Sequence, residues 1–131
     1  MESLSRSVIK NEMDIHLAIY RAARQARTMD FNPVQISKLK TAISELGHNI
    51  IKYAKKGMVD LYRIEDPKTG LHIIASDKGP GIQDIEQALA DNYSSSGTLG
   101  LGLPGVKRLM DGFDIQTELG KGTTVTITLY K

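Results

Sequence analysis

A glutamate and an asparagine one helical turn apart, Glu45 and Asn49, are the first pair in this sequence that could perform chemistry. Side chains four residues apart project from the same face of a helix. An amide oxygen can occupy one position of an octahedral Mg²⁺ whose other ligands are water and phosphate. A carboxylate one turn away can accept the proton of an attacking hydroxyl. By itself, such a pair is more often part of a solvated helix face.

A turn rich in glycine follows a predicted strand, at Asp77-Lys78-Gly79-Pro80-Gly81. A carboxylate at the end of a strand can accept a hydrogen bond from an exocyclic amine such as that of adenine. The two glycines would let the backbone pass close to a flat ring. An ordinary turn is the commoner meaning of this pentapeptide.

A second glycine-rich segment, from Gly97 to Gly105, leads into a predicted helix. Free amides in such a loop, and at the helix N-terminus behind it, can bind an anion without a basic side chain. The spacing from Gly100 to Gly105 also fits the dinucleotide-binding fingerprint, which must directly follow a buried strand. Polar residues 92–96 precede it here, so we reject that interpretation and expect a phosphate-binding loop.

Length and composition indicate one domain, residues 1–131, with 40% hydrophobic residues to build a single core. The 17 basic and 15 acidic side chains leave a formal net charge of +2, which does not indicate a nucleic-acid partner. The absence of cysteine excludes disulfides, thiolate metal sites and thiol catalysis. No apolar run has the length of a signal peptide or a membrane span. We therefore expect a cytoplasmic protein without a membrane or nucleic-acid partner.

The spacing of apolar residues predicts the elements that must position these segments. Asn11 and Asn32 are candidate caps for two long helices, the second of them running to about Ala54. Shorter helices are expected at 84–90 and 104–110, and strands at 7–9, 58–65, 71–76, 113–118 and 123–130. Helices on one face of a mixed, mostly antiparallel sheet make a two-layer α+β sandwich.

Four short motifs follow one another in a characteristic order along the chain. They are Glu45-x-x-x-Asn49, Asp77-x-Gly79-x-Gly81, Gly100-x-Gly102 and Gly120-Lys121-Gly122-Thr123. This series resembles the ATP-binding domain shared by histidine kinases, gyrase, ninety-kilodalton heat-shock chaperones and mismatch-repair ATPases. The resemblance extends from about Val8 to Leu129. It implies the Bergerat fold, in which ATP lies between helices and sheet beneath a lid, here residues 84–99.

Within that superfamily the sequence is most similar to the small serine kinases of the anti-sigma-factor type. The stretch from Gly102 to Asp111 and the run Ile43-Ser44-Glu45 resemble the switch kinases of stressosomes in particular. The resemblance implies a Mg-ATP-dependent protein serine/threonine kinase that phosphorylates STAS-domain proteins and then activates a downstream phosphatase. Three alternatives stay open: an anti-sigma factor kinase, a nucleotide-gated binding module without transferase activity, and an isolated histidine kinase domain.

The resemblance also implies a role for each candidate residue. Glu45 would be the catalytic base, Asn49 would ligate Mg²⁺ and Asp77 would bind the adenine amine. The residues expected around ATP are Asn49, Lys52, Asp77, Gly79, Gly81, Gly100, Leu101, Gly102 and Thr123.

Two features of charge accompany this assignment. No lysine or arginine occurs from Gly79 to Val106, whereas some relatives place a basic residue in the lid. Arg21, Arg24 and Arg27 form a basic stripe on the first helix, which is either a solvated face or a docking surface.

Overall fold

The computed structural model describes residues 1–89 and 102–131. In chain order the elements are β1 (Glu2–Ile9), α1 (Glu12–Thr28), α2 (Pro33–Asn49), a π-helical turn (Ile50–Ala54), β2 (Gly57–Ile64), β3 (Gly70–Asp77), α3 (Ile85–Ala88), α4 (Gly102–Leu109), β4 (Gly112–Glu118) and β5 (Gly122–Tyr130). The strands form one sheet in the order β1-β2-β3-β5-β4. Every strand pairing in the described ranges is antiparallel.

The core lies between one face of the sheet and the helices. Leu71 and Ile73 on β3 and Ile127 on β5 are fully buried, and they belong to the same apolar cluster as Leu39 and Ile43 on α2. Alternate residues of β3 face away from the helices and are only half-buried, which is the pattern of a sheet covered on one side. The expected α+β sandwich is thereby confirmed. Among the residues described, no helix combines the length and hydrophobicity that a membrane span requires.

Both long helices begin where the sequence predicts. The Asn11 side chain accepts a hydrogen bond from the amide of Asp14 at 3.0 Å. At α2, Asn32 and Gln35 form a reciprocal capping box with bonds of 2.8 and 3.0 Å. The Gln35 side-chain amide also donates to the carbonyl of Tyr130 at 2.9 Å, which ties the start of α2 to the end of β5.

Two elements differ from expectation by more than their end residues, whereas α3 and α4 differ only in their bounds. The second helix was expected to run to Ala54, but α2 ends at Asn49 and continues as the π-helical turn, which Lys55 ends at a φ of +69°. Strand β1 is longer than predicted because Glu2 to Arg6 pair with β2 along its edge. Residues 2–6 of this edge strand are exposed or half-buried. They therefore lack the alternation of apolar and polar residues by which a strand is recognised in a sequence.

A close approach of α1 to α2 depends on Gly47. A Cβ built there would lie 2.9 Å from Cγ1 and 3.0 Å from Cγ2 of Ile15, which is 1% exposed. Alanine usually stabilises a helix interior by about 1 kcal/mol relative to glycine, but a methyl group forced into a packed core costs about 1–3 kcal/mol. We expect Gly47→Ala to lower the free energy of unfolding by about 1 kcal/mol in urea denaturation, with exposed Lys38→Ala as the control. A gain in stability would contradict this packing argument.

Candidate functional site

The carboxylate at the end of β3 is fixed by backbone amides. Oδ1 of Asp77 accepts hydrogen bonds from the amides of Gly79 at 2.9 Å and Thr123 at 3.3 Å. These bonds connect the turn after β3 to the start of β5. Oδ2 makes no hydrogen bond to any residue within 1–89 or 102–131. The half-buried carboxylate therefore keeps one acceptor oxygen for an exocyclic amine.

The two glycines after Asp77 are required by the protein's own packing. A Cβ at Gly79 would lie 2.6 Å from Cβ of Ala54, so the π-helical turn rests directly against this backbone. Gly81 has a φ of +80°, and its Cβ would lie 2.6 Å from the carbonyl oxygen of Glu118. Their small size thus places the turn between the end of the α2 segment and the β4–β5 hairpin.

The start of β5 is equally close to the end of β3. A Cβ at Gly122 would lie only 2.1 Å from the carbonyl oxygen of Asp77, and Gly122 has a φ of +131°. Only glycine allows this contact between two backbones. The contact brings the amide of Thr123 within 3.3 Å of Oδ1 of Asp77, while the nucleotide-binding roles implied for these two residues stay predictions.

Sequence reasoning missed Thr117, which supports this part of the site from β4. Its hydroxyl accepts a hydrogen bond from the amide of Ile82 at 2.8 Å. It also lies 2.9 Å from the hydroxyl of Thr123 and 3.2 Å from the carbonyl oxygen of Gly122. Thr117 and Thr123 are direct cross-strand partners. A threonine pair opposed across a predicted hairpin is the signal that could have identified it.

Removing this hydroxyl should loosen the turn. Thr117→Val keeps the branched shape but leaves the amide of Ile82 without its acceptor, and such a loss costs about 1–3 kcal/mol. We expect the free energy of unfolding to fall by about 1–2 kcal/mol in urea denaturation. Thr117→Ser, which keeps the hydroxyl, should retain most of the stability. Equal stability of the two variants would show that the hydrogen bonds contribute little.

The last two turns of α2 carry the predicted base and metal ligand. Glu45 and Asn49 are half-buried, while their neighbours Ile43 and Leu46 are buried in the core and fix the orientation of the helix. In the part of the chain that the structure describes, neither polar side chain makes a hydrogen bond or an ion pair. A carboxylate and an amide on one helix face are thus available to a ligand.

The donor set on α2 suits a magnesium ion that is shared with phosphate. No three acidic or histidine side chains within the described ranges converge as a metal site. An ion at Asn49 would therefore take its other ligands from water and phosphate, an arrangement that is usual for Mg²⁺. The unpartnered amide of Asn49 fits that role.

The other residues predicted to bind ATP make fewer contacts that would fix their positions, or lie outside the described residues. Lys52 is exposed on the π-helical turn, and its Nζ lies 5.3 Å from the ring centroid of Tyr53. Gly102 begins α4 at a φ of +61°. Gly100 and Leu101 lie outside the described residues, as do residues 90–99 of the expected lid.

Comparison with known proteins places the chain in a family. Residues 11–129 match the model of the histidine kinase-like ATPase domain. The serine/threonine-protein kinase RsbT of Bacillus subtilis is 46% identical over 118 residues, which are 89% of each chain. The anti-sigma F factor of Clostridium beijerinckii is 35% identical over 84% of this chain and 82% of its own.

Solved structures show the same fold at low sequence identity. The mycobacterial sensor histidine kinase MprB superposes with a TM-score of 0.58 at 18% identity over 95% of both chains. The catalytic domain of the histidine kinase ThkA gives 0.58 at 17% identity over 100% of this chain and 97% of its own. The resemblance that the four motifs implied is confirmed: this chain belongs to the histidine kinase-like ATPase domain family, and within it is similar to the small serine/threonine kinases.

Proposed function

We propose that this chain is a Mg-ATP-dependent protein serine/threonine kinase whose substrates are STAS-domain proteins of a stressosome. The observation that carries the proposal is the pair Glu45 and Asn49, half-buried and unpartnered on one face of α2. The 46% identity to a serine/threonine-protein kinase supports the enzyme class. A fixed carboxylate with one free oxygen at Asp77 supplies a place for the adenine amine.

In the proposed reaction, Glu45 receives the proton of the acceptor serine or threonine hydroxyl. The hydroxyl oxygen forms a bond to the γ-phosphorus as the bond from that phosphorus to the bridging oxygen breaks, so phosphoprotein and ADP are the products. Asn49 would hold Mg²⁺, which when bound neutralises charge on the β- and γ-phosphates. Because Glu45 and Asn49 are one turn apart on the same helix, the distance between the base and the metal ligand is held constant.

The adenine end is proposed to bind between β3 and β5. Oδ2 of Asp77 accepts the exocyclic amine, while Thr123 contributes its hydroxyl beside it. Lys52 lies one turn beyond Asn49 and is the nearest lysine or arginine along the chain to the proposed phosphate site. Gly100, Leu101 and Gly102 are proposed to supply backbone amides to the phosphates.

Regulation would follow from a change of partner. After phosphorylating its STAS-domain substrate in the cytoplasm, the kinase would leave that complex and activate a downstream phosphatase. The 35% identity to an anti-sigma F factor favours a second candidate, a kinase that also sequesters a sigma factor. A nucleotide-gated binding module without transfer is the third candidate.

Transfer of labelled γ-phosphate from Mg-ATP to STAS-domain proteins of the same organism tests the proposal. Acid-stable label on serine or threonine, lost with Asn49→Ala, is the expected result. Acid-labile label would instead show a histidine kinase. Nucleotide binding without any label would favour the binding module, and tight binding of a sigma factor would favour the anti-sigma factor.

A further inference from the structure

An open groove of about 560 Å³ lies between the last turn of α1 and the first two turns of α2. Phe31 and Ile36 form its apolar floor and are 5% and 9% exposed. Arg27 and Lys40 stand at its rim, one from each helix, and both are exposed. The groove thus presents two cations above a small apolar surface, and its volume is in the range of a ligand pocket.

These two cations are not neutralised by the fold. Neither Arg27 nor Lys40 has an acidic side chain within 4.0 Å in residues 1–89 and 102–131. Asp30 is the single carboxylate among the residues that line the groove. The lining therefore keeps a net positive charge, which is complementary to an acidic ligand.

The backbone at the start of α2 contributes a positive electrostatic potential to the groove but few free hydrogen-bond donors. Pro33 has no N–H, and the amide of Gln35 is already bound by Asn32 at 2.8 Å. The positive end of the α2 dipole lies at Pro33, which is one of the residues that line the groove. Recognition therefore falls to the side chains of Arg27 and Lys40.

The basic stripe predicted on α1 divides in the structure. Arg21 donates hydrogen bonds to the hydroxyl of Ser7 at 2.9 Å and the carbonyl of Arg6 at 3.3 Å, so it joins α1 to β1. Arg24 is exposed and does not line the groove, whereas Arg27 does. Of the three arginines, Arg21 therefore connects α1 to β1, Arg24 faces solvent and Arg27 lines the groove.

The groove is separate from the nucleotide site but lies on the same helix. Ser37, which lines it, precedes Asn49 by twelve residues on α2. At 1.5 Å per residue, this places the two about 18 Å apart along the helix axis. A partner held in the groove would leave the proposed nucleotide site open while being anchored to the helix that carries Glu45.

We propose that this groove docks an acidic segment of the protein substrate, with a leucine or phenylalanine on the floor and flanking Asp or Glu side chains at Arg27 and Lys40. That the partner is the protein substrate rests on the proposed function. That the groove suits an acidic and apolar segment rests only on the residues that line it. Two cations beside the Asp30 carboxylate are too few to follow a nucleic-acid backbone, whose binding depends on many neutralised phosphates.

Direct binding is tested with a short peptide of glutamate and leucine added to the ¹⁵N-labelled full chain. We expect the amide signals of Phe31, Ile36 and Ser37 to shift, and a peptide with lysine in place of glutamate to leave them unmoved. Unmoved signals with the acidic peptide, or equal shifts with the basic one, overturn the proposal.

Charge reversal provides a matched pair of variants. Arg27→Glu with Lys40→Glu should weaken peptide binding about tenfold or more, whereas Arg24→Glu with Lys38→Glu makes the same charge change outside the groove and should have little effect. Equal weakening in both would indicate non-specific attraction and overturn the proposal. Ser37→Trp should block the groove without a charge change, and Ser37→Ala should not.

Kinetics separates this proposal from the proposed function. In phosphate transfer to a STAS-domain protein, the Arg27 and Lys40 double variant should raise KM for the protein about tenfold, with kcat and the KM for ATP unchanged. An unchanged KM for the protein overturns the docking site while the kinase assignment stands. Peptide binding in the groove of a chain that transfers no phosphate would support the docking site and remove the kinase assignment.

Discussion

Glu45→Gln should bind ATP as tightly as the parent chain and transfer phosphate about 10²- to 10⁴-fold more slowly, the range attributed to a general base. Glutamine keeps the shape of glutamate but cannot accept the proton of the acceptor hydroxyl. Glu45 makes no hydrogen bond or ion pair with the described residues, so the fold should be unaffected. Nucleotide titration and single-turnover transfer measure the two effects separately.

Exposed Glu2 provides the control, because Glu2→Gln makes the same change of charge at the far edge strand β1. Near-normal transfer by Glu45→Gln would remove this residue from the role of base. A parallel loss of ATP affinity would instead indicate that Glu45 contributes to binding, through the metal or its water ligands.

The parts of the fold that could be predicted are those specified by local sequence. Asn11 and Asn32 cap their helices through hydrogen bonds to residues three positions away, so the sequence itself contains both partners. Strand β3 could be predicted because its alternate residues are buried on one side. The order of the four motifs, which only a family resemblance makes informative, pointed to the site.

The parts that could not be predicted depend on contacts between distant residues. The π-helical turn replaces the last turn of the expected helix where Ala54 meets Gly79, and neither residue's neighbours in sequence indicate that contact. Thr117 joins Ile82 across 35 positions. The groove between α1 and α2 differs, because its lining residues all lie within 27–40 and its shape depends on how two successive helices pack.

The same distinction applies to the glycines. The sequence analysis predicts that Gly79 and Gly81 leave room for the flat ring of a nucleotide. That prediction does not account for the close contacts that the turn makes with the rest of the protein. The structure shows that the first accommodates Ala54 and the second the carbonyl of Glu118. A glycine in such a motif therefore also lets two segments of the site pack closely against each other. Here that packing holds the backbone of Gly79, whose amide binds the carboxylate of Asp77.

Asp77→Asn should weaken ATP binding about 30- to 150-fold, equivalent to about 2–3 kcal/mol. Oδ1 of Asp77 accepts two backbone amides and Oδ2 is proposed to accept the adenine amine, so every interaction of this side chain uses an acceptor. Asparagine has one acceptor oxygen and one NH₂ group. Whichever way it turns, its NH₂ faces either the amides of Gly79 and Thr123 or the adenine amine.

A change of base specificity makes this prediction sharper than a loss of affinity alone. Inosine triphosphate carries a carbonyl where ATP carries the amine, and the NH₂ of asparagine can donate to that carbonyl. Asp77→Asn should therefore shift the ratio of the two dissociation constants toward inosine triphosphate, while Asp114→Asn on the exposed face of β4 should leave it unchanged. Calorimetric titration with both nucleotides measures the ratio directly. An unchanged ratio with reduced affinity for both would mean that Asp77 serves only to hold the turn, and the adenine amine must then be recognised elsewhere.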